Sequence, residues 1–264
     1  MIRKPLGRTG VYIPEIGLGT WKYRGGIEPL RVGISLGANM IDTAEMYGTE
    51  DIVGRAIDGI RDDVFLATKV SPQHFHYDDL IKSAETSLKK LNTNVIDLYQ
   101  LHWPNPGIPI RETMKAMEDL VKWGKIRFIG VSNFSVRQME EASAALSSNE
   151  IVSNQVEYSL VERGIESDLI PYCVKEKVTI IAYSPLARGG LLGGSSRGSK
   201  LLEELSRKYG KTKAQIALNW VISKEENIVA IPKADRVEHV KEDCGASGWK
   251  LSEDDIKELN KVFS

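Results

Sequence analysis

Asp42, Tyr47, Lys69 and His102 are the residues of this chain whose types and positions could carry a proton-transfer reaction. Asp42 closes the apolar pair Met40-Ile41, and Tyr47 follows five residues later with Gly48 behind it. Lys69 stands at the end of the run Val64-Phe65-Leu66-Ala67-Thr68, and His102 follows the run at 95–101. Singly, each has an ordinary explanation. An aspartate after a strand caps a helix, a tyrosine packs, a lysine leans to solvent, and a histidine bonds within a core. At consecutive run ends that explanation is hard to sustain for all four. A buried lysine is costly unless paired, and Asp42 is one run away. Tyrosine titrates near pH 10 and is therefore a donor at pH 7. A neighbouring ammonium stabilises phenolate and is expected to lower that value. His102 could orient a carbonyl oxygen and stabilise negative charge developing on it. This is acid catalysis of carbonyl reduction. Since no side chain supplies a hydride, it requires a redox cofactor.

The elements that must position these groups can be read from the apolar pattern. Short apolar runs occur near 16–19, 39–43, 64–70, 95–101, 128–131, 152–156, 179–183 and 228–231. Seven of the eight starts recur at roughly 25–30 residues, and the last gap is longer. Several lack period-two alternation, as parallel strands covered on both faces do. Between them lie segments of helical spacing. Leu80, Ile81, Ala84, Leu88 and Leu91 share one face, as do Met114, Met117, Leu120 and Val121. Ser135 with Gln138 forms a capping box, and Ser252 precedes three acidic residues at the start of the last helix. That helix carries Ile256, Leu259, Val262 and Phe263 toward the core. A longer helical stretch, 199–223, breaks at 210–212, and residues 1–15 read as a hairpin or cover. Eight strand–helix units without a linker predict one (β/α)8 TIM barrel domain over 1–264, with the hairpin at the barrel bottom. An open doubly wound sheet should carry a nucleotide fingerprint. Neither Gly17-Leu18-Gly19 nor the cluster Gly189-Gly190, Gly193-Gly194 has that spacing. In a barrel, the C-terminal strand ends converge on one rim and make neighbours of distant residues.

Bulk properties exclude several function classes. Lys plus Arg (35) nearly cancels Asp plus Glu (36), so there is no basic surface for nucleic acid or an acidic membrane. Cys173 and Cys244 form no metal or disulfide framework. No run approaches the roughly 18 apolar residues of a membrane span, and the N-terminus lacks a signal region. The expected address is the cytoplasm.

The chain resembles an aldo-keto reductase over essentially its full length, in particular the short-C-terminus, prokaryotic-type members. The resemblance is carried by Pro5-Leu6-Gly7-Arg8-Thr9-Gly10, Gly17-Leu18-Gly19-Thr20-Trp21, Ile41-Asp42-Thr43-Ala44 with Tyr47-Gly48, Ala67-Thr68-Lys69, Leu101-His102-Trp103-Pro104, Gly130-Val131-Ser132-Asn133-Phe134, Asn154-Gln155 and Ile231-Pro232-Lys233. It implies that Asp42, Tyr47, Lys69 and His102 are a catalytic tetrad with Tyr47 as proton donor. It further implies that Ser132, Asn133 and Gln155 hold the nicotinamide carboxamide, Tyr183 stacks on that ring, and Thr20 and Asp42 meet its ribose. By the same resemblance Ser184 and Leu186 begin a loop around the pyrophosphate. Lys233, Arg236, His239, Glu242 and Asp243 fall at the adenosine end, and Trp21, Tyr47, His102 and Trp103 line the substrate pocket. The implied reaction is reversible reduction of aldehydes, ketones or sugars by NADPH, with NADH as second choice, in a monomer.

The sequence departs from the family pattern at the adenosine end. Ala234 and His239 stand where NADPH-preferring members have serine and arginine, and Asp243 replaces a common asparagine. A neutral histidine cannot supply a bidentate fork, and Asp235 adds negative charge. A weak or dual cofactor preference is therefore expected, with Arg236 a substitute phosphate contact. The chain stops at Ser264, just after the last helix, and the 105–109 loop is short, so an open pocket mouth and broad aldehyde tolerance are expected. Two other functions fit parts of the pattern: a noncatalytic nucleotide sensor resembling potassium-channel β subunits, and a barrel aldolase or isomerase using Lys69 as a Schiff base.

Overall fold

The computed structural model describes residues 1–264 except 192, 194, 195 and 264, so Gly194 and Ser264 lie outside the described residues. The strands are β1 (Arg3–Pro5), β2 (Tyr12–Pro14), β3 (Leu18–Gly19), β4 (Met40–Asp42), β5 (Phe65–Val70), β6 (Ile96–Leu101), β7 (Ile126–Ser132), β8 (Ile151–Glu157), β9 (Thr179–Tyr183) and β10 (Ile228–Ala230). β3 to β10 form one eight-stranded parallel sheet in chain order. A parallel bridge from Ile16 to Ala230 joins its ends. Gly17 N donates to Ala230 O at 2.8 Å and Gly19 N to Pro232 O at 2.9 Å. The sheet closes on itself as a (β/α)8 barrel.

Apolar runs without alternation arise because a barrel strand is buried on both faces. The six residues of β6, for example, are all buried. Alternate residues go to different cores. Met40, Ala67, Leu98, Val152, Ile181 and Val229 fill the interior, while Ile41, Leu66 and Tyr99 face the helices. The hairpin of β1 and β2 adds Leu6 and Ile13, both fully buried, to the interior cluster. They plug the N-terminal end. Full burial of such a side chain contributes about 1.5–3 kcal/mol.

The helix signals agree with the structure. Helix Tyr77–Lys90 buries Leu80, Ala84 and Leu88, and helix Ile110–Lys122 buries Met114, Met117 and Leu120. Ser135 and Gln138 form the reciprocal capping box. The long stretch divides into Arg197–Tyr209 and Lys213–Ser223, with Gly210 left-handed at the first C-cap and Thr212 capping the second. In the last helix, Glu253–Val262, Leu259 is buried and Ile256, Val262 and the adjoining Phe263 pack against the same core. Among the described residues, no helix is long and apolar enough to cross a membrane.

Near the N-terminal strand ends, Asp97 of β6 is buried against two cations. Arg61 reaches it at 2.7 Å and Arg127 at 2.8 Å, and Leu66 N donates to it at 2.8 Å. The opposite rim carries the candidate site.

Candidate active site

Asp42 ends β4 and Lys69 is the next-to-last residue of β5, both essentially without solvent exposure. The Lys69 ammonium donates to Asp42 Oδ1 at 2.5 Å, to Thr43 O at 2.9 Å and to Tyr47 Oη at 3.4 Å. All three of its donors are thereby used. Asp42 Oδ2 accepts from Gln155 Nε2 at 2.8 Å and Gln100 Nε2 at 3.1 Å. Gln100 can reach it because the next strand presents Gly130. A Cβ there would lie 2.9 Å from Gln100 Cγ and 2.6 Å from Ser153 Oγ. Burial alone would push the Lys69 ammonium below its ordinary value, but Asp42 and then Tyr47 outweigh it and hold it above.

Tyr47 comes from the single helical turn Glu45–Tyr47, which Gly48 ends in the left-handed region at φ 68°. Its hydroxyl lies 3.3 Å from His102 Nε2, with the two rings edge to face at 71°. His102 follows β6, and its other nitrogen, Nδ1, is buried with no hydrogen-bond partner among the described residues. A neutral ring with its proton on Nε2 leaves only a weaker acceptor unsatisfied. Burial, with the Lys69 charge second, pushes His102 down to about 3. It is neutral at ordinary pH. Trp103 stacks on the imidazole at 3.9 Å and 13°.

The expected lowering of Tyr47 is not found. Burial raises the phenol above its ordinary value, Lys69 offsets only part of that, and Asp42 adds to it. The sequence revealed the neighbouring ammonium but not the depth of the hydroxyl. Tyr47 is therefore a fully protonated acid at neutral pH.

These groups open onto a cavity of about 620 Å³, which also meets Thr20, Trp21, Trp103, Ser132, Asn133, Gln155, Tyr183, Ser184 and Leu186. Thr20 Oγ1 donates to Asp42 O at 2.9 Å. Ser132 Oγ donates to Gln155 O at 2.8 Å, and Asn133 Nδ2 to His102 O at 3.1 Å. Tyr183 Oη donates to Asn133 Oδ1 at 3.0 Å. Residues spread over more than 160 positions of sequence, from Thr20 to Leu186, thus meet at one rim.

The model of the Aldo/keto reductase family matches residues 15–263. The chain belongs to the aldo-keto reductase family. It is similar to the methylglyoxal reductase YeaE of Escherichia coli (strain K12), at 39% identity over 96% of this chain and 92% of that protein. Among solved structures it resembles the thermostable aldo-keto reductase Tm1743 in complex with the inhibitor epalrestat. That likeness has 46% identity and a TM-score of 0.93, covering 99% of this chain and 100% of the other. An aldo-keto reductase from Klebsiella pneumoniae in complex with NADPH shares 38% identity at a TM-score of 0.92, over 100% and 96% of the two chains.

The far end of this aldo-keto reductase's cavity is built differently. Lys233, Ala234, His239, Glu242 and Asp243 line it, but Lys233 is held by Asp235 at 2.6 Å. Arg236 does not line the cavity and lies 3.6 Å from Glu238 instead. Asp243 is buried, no cation among the described residues pairs with it, and burial, then Glu242, pushes it up to about 7. Between the two ends, Ser184, Ala187 and Arg188 have positive φ. Left-handed backbone costs a residue with a Cβ roughly 1 kcal/mol, and such strain gathers at ligand-binding loops.

Sequence reasoning missed three contributors. Gln100 carried a signal, the one amide in a run that is mostly apolar. Lys22 and Arg188, which also line the cavity, carried none.

Proposed function

We propose that this aldo-keto reductase reduces small aldehydes and ketones to alcohols with NADPH, and that Tyr47 donates the proton. 2-Oxoaldehydes are the first substrates to try, given the similarity to a methylglyoxal reductase. The observation that carries the reading is the Tyr47 hydroxyl on the cavity wall, 3.4 Å from the Lys69 ammonium and 3.3 Å from His102 Nε2.

The donor chemistry of the cavity fits a dinucleotide, and its volume lies within the range of ligand clefts. Amides and hydroxyls of Ser132, Asn133 and Gln155 would hold the carboxamide, the Tyr183 ring would face the nicotinamide, and Thr20 and Asp42 would meet the ribose. The loop from Ser184 through Leu186 would take the pyrophosphate, and Lys233 with His239, Glu242 and Asp243 the adenosine. When bound, the nicotinamide supplies the hydride. His102, neutral and protonated at Nε2, orients the carbonyl oxygen. Tyr47 Oη transfers its proton to that oxygen as negative charge develops there. Lys69 stabilises the phenolate left behind, and Asp42 with its two glutamine donors keeps the lysine in place. Because Asp42 and Tyr47 hold Lys69 protonated, it is a poor Schiff-base nucleophile.

NADPH oxidation followed by absorbance with methylglyoxal, aldehydes, ketones and sugars tests the reading. Tyr47→Phe should lower turnover by about 10²–10⁴-fold while NADPH affinity stays within about twofold. Unimpaired turnover in that variant would remove Tyr47 as the acid. Tight NADPH binding with no turnover on any substrate would favour the sensor. Repeating the assay with NADH measures the discrimination left by Ala234, His239 and a Lys233 already paired with Asp235. We expect it to be below about 100-fold, since a bidentate arginine contact is missing.

A further inference from the structure

The Tyr47 hydroxyl is only loosely fixed by its own contacts. Its neighbours, His102 Nε2 at 3.3 Å and Lys69 Nζ at 3.4 Å, lie beyond the roughly 2.7–3.2 Å of a well-formed hydrogen bond. The turn that carries the ring, Glu45–Tyr47, buries none of its three residues, and Met46 and Gly48 on either side of the tyrosine are exposed. A short surface turn with few buried contacts is easily displaced. Something other than its own packing sets its place.

Two carboxyl groups, one on each side of Tyr47 in the chain, reach the strand that carries Lys69. Glu45 Oε1 accepts from Ser71 N at 2.6 Å and lies 2.9 Å from His74 Nδ1. Glu50 Oε1 accepts from Thr68 Oγ1 at 2.7 Å. Thr68 and Ser71 flank Lys69, so the segment of the acid is pinned on both sides of the ammonium. Thr68 shares the helix-facing side of β5 with Leu66 and Val70, which leaves the Lys69 side chain free toward the cavity. Glu50 is expensive to keep there. It is 1% exposed, and its Oε2 has no hydrogen-bond partner among the described residues. Burial pushes its carboxyl above the ordinary value, with the Thr68 hydroxyl offsetting part of that. Exchanging both partners of such a bond for apolar groups of like shape is close to neutral or favourable for stability. A polar pair retained between the segments of acid and ammonium therefore points to placement.

We propose that Glu50, through Thr68, and Glu45, through Ser71 N, are positioning residues that hold Tyr47 beside Lys69 and so set the rate of proton transfer. This rests on the reading of Tyr47 as the proton donor. Neither carboxyl group lines the cavity, so binding of cofactor and aldehyde does not depend on them.

The test measures kcat and KM for the aldehyde turned over fastest in the panel above, NADPH affinity by fluorescence, and the urea midpoint of each variant. Glu50→Leu and Thr68→Val should each lower kcat by about tenfold, since misplacing a reacting group by about 1 Å costs up to about 10²-fold. KM and NADPH affinity should stay within about twofold. Glu45→Ala should cost about threefold in kcat, and Glu45→Gln, which keeps an acceptor for Ser71 N, should recover most of it. The combined Glu50→Leu, Thr68→Val variant should regain the urea midpoint of the unaltered chain but not its kcat. In a Tyr47→Phe background, Glu50→Leu should lower the residual turnover no further, because both changes act on one step. A combined variant that regains kcat along with its midpoint overturns the proposal and leaves a structural pair. An equal loss with and without the Tyr47 hydroxyl also overturns it. If Tyr47→Phe loses turnover and neither Glu50→Leu nor Thr68→Val does, the placement role alone fails. Normal turnover in Tyr47→Phe, or none on any substrate in the unaltered chain, overturns the acid reading and the placement role with it.

Discussion

The barrel buries a carboxyl group with cationic partners at each end, and the two are built for different ends. At the N-terminal end Asp97 is gripped by two arginines and a backbone amide, and Arg61 spends its other donors on Thr93 Oγ1 and the carbonyls of Val64 and Val95. At the C-terminal end Asp42 is gripped by a lysine and two glutamines, and the lysine's remaining reach goes to a tyrosine on a cavity wall. Guanidinium is charged at any usable pH and binds carboxylate as a rigid fork, whereas an ammonium is a compact charge that can serve several acceptors. The first arrangement ties strand to strand. The second does so too, but also presents a charge to a titratable hydroxyl.

Removing one charge from each pair separates these roles most clearly. Asp42→Asn should lower turnover by about 10²-fold, because Lys69 loses the group that positions it beneath Tyr47. Asp97→Asn should leave turnover per folded molecule within about twofold while lowering unfolding free energy by about 2–3 kcal/mol, since the half-buried Arg61, the exposed Arg127 and Leu66 N all lose a charge-assisted hydrogen bond to the one buried carboxylate. NADPH oxidation and urea denaturation of the two variants give both numbers. Equal turnover losses would erase the distinction between the two ends.

That distinction was partly legible in the sequence. The barrel strands were visible because each is buried on both faces, which leaves runs dominated by apolar residues without period-two alternation. The same runs exposed Asp42, Lys69 and His102. Tyr47 was visible by its distance from Asp42 and by the glycine that stops its turn. What was not legible depends on register and depth. Gln100 and Gln155 reach one carboxyl oxygen only because β4 to β8 stack as they do and Gly130 leaves a gap. The direction of the Tyr47 shift depends on burial, which no local pattern reports. Arg236 was read as a phosphate contact, but whether an exposed side chain faces a cavity is decided by the turn that carries it. Here it lies toward Glu238.

Acid titration sharpens the comparison further, because only the upper site contains a histidine. His102 is pushed down to about 3 in the folded chain, against an ordinary value near 6.5. Between those values the unfolded chain binds a proton that the folded chain refuses, so stability falls as pH drops from about 6.5 toward 3. Each pH unit in that window is worth up to about 1.4 kcal/mol. His102→Gln should flatten the pH dependence of unfolding between about pH 6 and pH 4 by roughly 2 kcal/mol. An unchanged slope in urea titrations would mean that the imidazole is wetter than its surroundings indicate.

A further buried carboxyl, Asp243, pairs with no cation among the described residues, and completes the contrast with the smallest expected effect. Burial, then Glu242, raises it to about 7, above an unfolded value near 3.9. The sign is opposite to that of a paired carboxylate. The folded chain holds a proton that the unfolded chain has released, so stability is lost as pH rises from about 4 through about 7 and the loss is complete above that. Asp243→Asn keeps the shape and removes the ionisation. It should stabilise the chain by about 1–2 kcal/mol at pH 8 and by distinctly less at pH 5, read as the difference between urea midpoints at constant m. A gain that is the same at both pH values would be a packing effect. No gain at either would mean that a counter-charge reaches the carboxylate after all, and Asp243 would then join Asp42 and Asp97 as a paired group.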